Sequence, residues 1–223
     1  KYKNFFFNSR FHQVSTDEIY GSIKKGSFDE LSKLNPSSPY SASKASADML
    51  VKSFHVTYGL NTTTSVCSNN FGPNQHDEKF IPKVIKCLFT NKDIPVYGDG
   101  NNVRDWLYVE DHASAIFEII SNGKIGNTYC IGGENEVKNI DIVKILIDKV
   151  DKYLDRKKGS SNKLISYVKD RKGHDFRYAI DNSKLINELG WKPRYDFNTG
   201  IDYTIKWYLD NIEWMNNIFN KTY

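Results

Sequence analysis

Short runs rich in β-branched and apolar residues alternate along this chain with longer runs whose apolar residues recur at helical spacing, and that order is what most narrows its fold. Residues 11–15, 62–68, 95–97, 103–109, 127–131 and 164–168 read as strands. Helical patterns fall at 39–58, 78–90, 110–120, 140–153, 183–189 and 200–209. Pro39 opens the first helix and Gly59 stops it, with Ala42, Ala45, Met49, Leu50 and Phe54 as its apolar stripe. Pro82 is tolerable only in the first turn of the second, and Asp111 reads as a cap for the third. This alternation predicts an α/β chain: a doubly wound parallel, Rossmann-like sheet with a smaller α/β lobe, rather than a sandwich or a bundle. Trp106 and Tyr108 read as sheet core on one face of a period-two strand, with Asp105 and Leu107 on the other.

Against that frame two strings concentrate chemistry. Ser15-Thr16-Asp17-Glu18-Ile19-Tyr20 puts a hydroxyl and two adjacent carboxyls at the end of a strand, where α/β sheets bind ligands. Tyr40-Ser41-Ala42-Ser43-Lys44 puts a phenol and an ammonium one helical turn apart, about 6 Å on the same face. A neighbouring cation favours the phenolate, so this spacing suits a tyrosine acting as a base near neutral pH. Adjacent carboxyls can divide acid and base roles. Each string has an ordinary reading, since YxxxK occurs by chance in helices and an Asp-Glu pair after a strand is commonly a solvated turn. Their value is joint and lies in their order.

Composition closes off other classes. The formal net charge is +4, with lysines interspersed among acids, which gives no basic block for nucleic acid. The longest apolar runs fall far short of a membrane span, and Lys1-Tyr2-Lys3 starts no secretory segment, so a cytoplasmic protein is expected. Cys67, Cys87 and Cys130 form no CxxC and read as reduced thiols. The histidines His12, His55, His76, His112 and His174 show neither HExxH nor HxH, so no metal is expected. Gly98-Asp99-Gly100-Asn101-Asn102-Val103 lacks a third glycine and a following helix, and reads instead as a hairpin turn.

The chain resembles the dTDP-glucose 4,6-dehydratase family of extended short-chain dehydrogenase/reductases. The strings that carry the resemblance are the two above, with Ser38-Pro39 and Ala45 flanking the second. To them are added Cys67-Ser68-Asn69-Asn70-Phe71-Gly72-Pro73, Glu78-Lys79-Phe80-Ile81-Pro82, Arg104-Asp105-Trp106-Leu107-Tyr108-Val109-Glu110-Asp111 and Asp170-Arg171-Lys172-Gly173-His174-Asp175. The resemblance implies NAD as cofactor and dTDP-glucose as substrate, oxidised at carbon 4, dehydrated across carbons 5 and 6 and reduced at carbon 6. It implies Tyr40 as the base on the 4-hydroxyl, Lys44 lowering the phenol's pKa and binding the nicotinamide ribose, and Thr16 bonding the 4-oxygen. Glu18 would remove the carbon 5 proton while Asp17 protonates the departing hydroxyl. Epimerases resembling this family need no such acid pair.

The resemblance also places Asn69 beside sugar or phosphate, Asn70 beside NAD, and Pro95 and Tyr97 against the nucleobase. Glu78, Lys79 and Phe80 would lie along the nucleotide, with Lys79, Arg104, Arg171 and Asn139 near phosphate, and Asp170 to His174 closing over it. Lys172 stands where the family usually has proline. Residues 1–72 and 103–133 are implied to belong to the NAD-binding domain, and 73–102 and 134–223 to a sugar-nucleotide lobe. A homodimer is expected. Lys1 is not a methionine, and the resemblance implies a preceding segment with the Gly-rich dinucleotide loop. The alternatives are a dehydratase for UDP- or CDP-glucose, an epimerase or decarboxylase, and a truncated remnant without activity.

Overall fold

The computed structural model describes residues 9–219; the Lys1-Tyr2-Lys3 reading and the outer ends of the implied domains lie outside these residues. In chain order the elements are β1 (Phe11–Thr16), a 3-10 turn (Asp17–Tyr20), α1 (Pro39–Tyr58), β2 (Thr62–Cys67), β3 (Asn69–Phe71), α2 (Phe80–Phe89), β4 (Ile94–Tyr97) and β5 (Val103–Tyr108). There follow α3 (Val109–Asn122), β6 (Thr128–Ile131), β7 (Glu136–Lys138), α4 (Asn139–Tyr153), a 3-10 turn (Ser160–Leu164), β8 (Ile165–Val168), α5 (Ser183–Leu189), α6 (Phe197–Asp210) and α7 (Ile212–Phe219). The chain is α/β with parallel sheets, and it divides into two compact units. Among the described residues the first comprises 9–70, 103–136 and 175–194; the second comprises 71–102, 137–174 and 195–219. Residues 175–194, assigned from sequence to the second lobe, thus return to the first.

In the first unit β2 lies between β1 and β6, all parallel, with Phe11 opposite Thr62, Thr16 opposite Cys67 and Cys67 opposite Ile131. A central parallel strand is covered on both faces, and all six residues of β2 are buried although four carry hydroxyls. His12 serves two of these, its Nδ1 lying 2.9 Å from Thr63 Oγ1 and its Nε2 3.0 Å from Ser65 Oγ. Val66 and Cys67 point to opposite faces and join two separate clusters. One gathers Ile19, Tyr20, Ala45, Cys130 and Ile180; the other gathers Leu107, Ala115, Ile119, Tyr129, Ile131, Leu185 and Trp191.

α1 starts at a capping box: Ser38 Oγ accepts from Ser41 N and Ser41 Oγ accepts from Ser38 N, both at 3.1 Å, with Pro39 at the first helical position. Gly59 ends it in the left-handed region, at φ +67°. The expected apolar stripe is not a core face. α1 buries Ser41 and Ala45, while Met49 and Leu50 are 64% and 60% exposed. The reason is steric: small residues face β1 and let the helix approach closely, which turns the large ones away. Between β1 and α1, residues 21–38 form the expected loop. It is pinned by Phe28 N to Ala179 O (2.9 Å), Asp181 N to Phe28 O (2.8 Å) and Asn35 N to Ile19 O (2.9 Å). Gly21 sits at φ +76°, where a Cβ would meet Asn35 O at 2.5 Å, so the turn out of the strip Thr16–Tyr20 requires glycine.

Three sequence expectations are corrected. The turn at Asp99-Gly100 exists, with Gly100 N bonded to Tyr97 O at 3.1 Å, but it closes no hairpin. β4 pairs in parallel with β8, Ile94 opposite Ile165. Asp111 is not the cap of α3, since the helix begins at Val109; its carboxylate instead accepts from Arg194 N at 3.0 Å. β5 has Trp106 and Tyr108 in the core as expected, and Arg104, Asp105 and Leu107 are buried with them. α6 begins three residues earlier than its pattern suggested because Asp196 caps it, accepting from Thr199 N at 2.9 Å.

The second unit is built on α2, α4 and α6 packed together beside the β4–β8 pair. α4 alone buries Ile140, Ile142, Val143, Leu146, Ile147 and Val150. At about 1.5–3 kcal/mol for each fully buried aliphatic side chain, this helix is a main source of that unit's stability. Gly100 belongs to the same packing, because a Cβ there would lie 2.8 Å from Val96 and 2.9 Å from Ile140.

Candidate active site

β1 carries the chain to Thr16, whose hydroxyl caps the following 3-10 turn by accepting from Glu18 N at 3.3 Å. That turn was not visible in the sequence, and it decides how the two acids point. Asp17 is turned inward and is 2% exposed, while Glu18 is only partly buried. Burial pushes the Asp17 carboxyl up to about 8, with the negative charges of Glu18 and Asp105 adding to the effect and Arg104 and the Thr16 hydroxyl opposing it. Asp17 Oδ2 is buried with no hydrogen-bond partner, and Oδ1 receives the Thr16 hydroxyl at 3.3 Å. At neutral pH this carboxyl holds its proton beside a second carboxylate, and it has an unused polar atom.

Tyr40 and Lys44 lie in the first three turns of α1. Tyr40 is 56% exposed, and its phenol is raised above the ordinary value by burial first, then by Glu18, Cys67 and Asp17. The expectation that Lys44 lowers it is not met. Lys44 Nζ instead donates to Val14 O at 2.6 Å. Burial first, and then the nearby acids and thiol, set the direction at the phenol. The donor set still fits the dinucleotide that the sequence implies: an ammonium has three N–H groups, of which Val14 engages one, and the phenol is accessible at the carboxyl ends of parallel strands. Beyond β2, Asn69 Oδ1 is buried without a hydrogen-bond partner, and Asn70 Nδ2 donates to Ser68 O at 3.2 Å.

Arg104 differs most from expectation. It is buried, its guanidinium donating to the carbonyls of Val103 (2.7 Å), Phe176 (3.3 Å) and Asp175 (2.8 Å), and it lies 4.4 Å over the Tyr178 ring. Tyr178 in turn donates to Asp175 Oδ2 at 2.6 Å. Arg104 is thus held by its own unit, within electrostatic reach of Asp17 and Glu18. Asp105, which sequence reading left out of the site, accepts from Gly133 N and Asn135 N at 2.8 Å and helps keep Asp17 protonated.

The second unit holds the remaining candidates. On β4, Ile94 and Val96 point into the core and Pro95 and Tyr97 lie on the other side, as a period of two requires. The Arg171 guanidinium sits 4.6 Å over the Tyr97 ring. Asp170 Oδ1 accepts from Arg171 N at 2.8 Å and lies 2.7 Å from His174 Nδ1, so its carboxyl is held below the ordinary range. Lys79 caps α2 without a side-chain bond, Phe80 starts that helix, and Lys79 pairs with the exposed Glu78 at 3.1 Å. Asn139 is the first residue of α4. Among the described residues no group of three His, Cys, Asp or Glu is placed to hold a metal, and no helix is long and apolar enough to cross a membrane.

Comparison with known proteins gives the family and the fold. The family model described as GDP-mannose 4,6 dehydratase matches residues 3–204. A dTDP-glucose 4,6-dehydratase of Escherichia coli is 49% identical over 226 residues, an alignment that covers 97% of this chain and 62% of that protein. One from Xanthomonas campestris is 48% identical, covering 96% and 62%. The chain therefore spans less than two thirds of the length of these relatives. Among solved structures, the Streptomyces venezuelae dTDP-glucose 4,6-dehydratase DesIV, with NAD and TYD bound, superposes with a TM-score of 0.88 at 42% identity, covering 94% of this chain and 62% of that one. The Bacillus anthracis dTDP-glucose 4,6-dehydratase in complex with NAD gives 0.86 at 46% identity, covering 93% and 64%. With nine tenths of its length matched by the family model, the chain belongs to the GDP-mannose 4,6 dehydratase family, whose fold it has, and its relatives named here are dTDP-glucose 4,6-dehydratases.

Proposed function

We propose that this chain performs the chemistry of an NAD-dependent dTDP-glucose 4,6-dehydratase, a hydro-lyase that yields dTDP-4-keto-6-deoxyglucose. The observation that carries the proposal is the asymmetry of the adjacent acids: Asp17 is buried, which pushes its carboxyl up to about 8, while Glu18 is more open. Elimination of water next to a ketone needs an acid for the leaving hydroxyl and a base for the acidified carbon-bound proton, and these are two carboxyls in different states. NAD, when bound, supplies the acceptor and later the donor of hydride, so no net reduced cofactor forms.

The chain's own residues do the rest. The Tyr40 phenolate takes the proton of the sugar 4-hydroxyl and becomes the phenol, Thr16 Oγ1 bonds the 4-oxygen, and Lys44 holds the ribose of the dinucleotide. Glu18 removes the carbon 5 proton and Asp17 gives its proton to the carbon 6 oxygen, which leaves as water. In this reading the first unit is the dinucleotide domain and the second the sugar-nucleotide lobe. There Tyr97 and Arg171 take the base and the phosphates, with Pro95, Glu78, Lys79, Phe80, Asn139, Asp170 and His174 around them. Asn69, Asn70 and Arg104 serve the sugar, the cofactor and the diphosphate. The buried, unpaired Cys67, Cys87 and Cys130 support a reducing compartment, the cytoplasm, and we assign a homodimer.

Incubation of the protein with NAD and dTDP-, UDP- or CDP-glucose tests this. Loss of one water from the dTDP sugar, without accumulation of NADH, is expected. A product that keeps its mass would favour an epimerase, and preference for UDP or CDP would move the nucleotide assignment. No product from any of them would leave a catalytically inert chain.

A further inference from the structure

Val14 and Ser15, the two residues before Thr16 on β1, each engage a side chain of α1. Lys44 Nζ donates to Val14 O at 2.6 Å, and Ser15 Oγ donates to Asp48 Oδ2. Lys44 and Asp48 are four residues apart, neighbours on one helix face, and the Asp48 carboxylate is stabilised by the Lys44 ammonium. Gln13, on the same side of β1 as Ser15, also favours the charged form of Asp48, whose other oxygen, Oδ1, is buried without a hydrogen-bond partner. Burial pushes the Asp48 carboxyl above its ordinary value, and Ser15, Gln13 and Lys44 oppose that shift without cancelling it. Packing does not require an acid there: the residues that α1 buries are Ser41 and Ala45, and an alanine would complete that small-residue face with no carboxylate to desolvate.

Two bonds from successive strand residues to helix positions one turn apart fix both the axial position and the rotation of the helix. A slip of one residue on β1 would turn Ser15 to the other face. The next residues on the strand side are Thr16, Asp17 and Glu18. We propose that Asp48 is a positioning residue that, through Ser15, holds Lys44 at the end of β1 in register with the Thr16–Glu18 strip. The role given to Lys44 rests on the functional reading above; the latch itself does not.

The test uses the full protein with NAD. Asp48→Ala is expected to lower kcat about tenfold with KM for the sugar nucleotide within about twofold. In a Lys44→Met background the same change is expected to have no further effect on kcat, because Asp48 acts through the lysine. Asp48→Asn, which still accepts from Ser15, is expected to recover most of the rate. A crystal structure of Asp48→Ala is expected to show Lys44 Nζ out of hydrogen-bond reach of Val14 O. Ser15→Ala removes the same tether from the strand side and carries the same expectations should Asp48→Ala not fold. An Asp48 effect of equal size in both lysine backgrounds, or Nζ remaining on Val14 O in the variant, overturns the proposal. A wild type that converts no nucleotide sugar overturns the functional reading alone, and the variant's crystal structure still decides the latch.

Discussion

In the first unit the ionisable groups of the candidate site are folded inward: Asp17 and Arg104 are 2% and 6% exposed, and each shifts the other's ionisation. In the second unit they lie largely on the surface, where Glu78 and Lys79 pair with about 60% of their side chains exposed and Asp170, 46% exposed, answers the enclosed ring of His174. Desolvation magnifies charge effects in the first place, and solvent damps them in the second. A substitution in the first unit should therefore alter the rate and its pH dependence, and one in the second should alter affinity and its salt dependence.

The sharpest way to break that contrast is Glu18→Gln. If Glu18 is the base for elimination, turnover should fall by about a thousandfold, since positioned acid–base groups contribute about 10²–10⁴. Oxidation at carbon 4 should survive, so NADH absorbance should build up during a single turnover instead of cycling back. Near-normal turnover would return Glu18 to the status of a surface carboxylate.

Asp17→Asn should cost about a hundredfold in rate, because an amide cannot give up the proton. It also reads out the burial directly. The folded-state value of about 8 lies above the ordinary 3.8, so Asp17's contribution to stability is full below about pH 4 and is lost as pH rises to about 8. The neutral amide removes that slope. Thermal melts should show the variant several degrees more stable than wild type at pH 8.5, by about 2–4 °C per kcal/mol for a chain of this size, and no more stable at pH 4. Wild-type turnover should decline as pH rises through about 8, as the acid form is used up. Coincident melting curves at both pH values would mean that Asp17 is ionised in the folded protein.

How much of this was legible beforehand depends on the range of the interaction. β1, α1, β2 and α5 are local: short apolar and β-branched runs, an opening Pro39, a terminal Gly59, a seven-residue pattern at 183–189, and their bounds were read within a residue or two. β3 and β7 have three residues each, too short for any period to show, and α7 lay beyond the last pattern that was recognised. The return of 175–194 to the first unit depends on pairings such as Val103 N to Phe176 O at 2.9 Å, over seventy residues apart. The candidate site residues were visible as strings, but their electrostatics were not. Nothing in Arg104-Asp105 announces that the arginine is buried and donates to three carbonyls, or that the aspartate pushes the Asp17 carboxyl up.

Two substitutions in the second unit probe the damped side of the contrast. Arg171→Ala removes a guanidinium 4.6 Å over Tyr97, a contact worth about 0.5–1 kcal/mol at an exposed site and more where desolvated. With loss of a phosphate partner added, KM for the nucleotide sugar should rise about tenfold while kcat stays within about twofold. A fall in kcat of the same size would tie the turn at 170–174 to the chemistry itself.

Lys79→Met should be the mildest change and the most instructive about solvent. Its ammonium is paired with Glu78 at 3.1 Å on the surface, at the start of α2, with no side-chain cap bond. Exposed pairs contribute about 0.2–1 kcal/mol, so removing one should move Tm by no more than about 2 °C. If Lys79 adds only long-range attraction for a diphosphate, KM should rise about two- to threefold at low salt. The difference should vanish above about 0.5 M salt, where the Debye length is under about 5 Å. A salt-independent rise of tenfold or more would mean that Lys79 leaves Glu78 and binds phosphate directly, and this part of the second unit would then have to be counted with the buried machinery of the first.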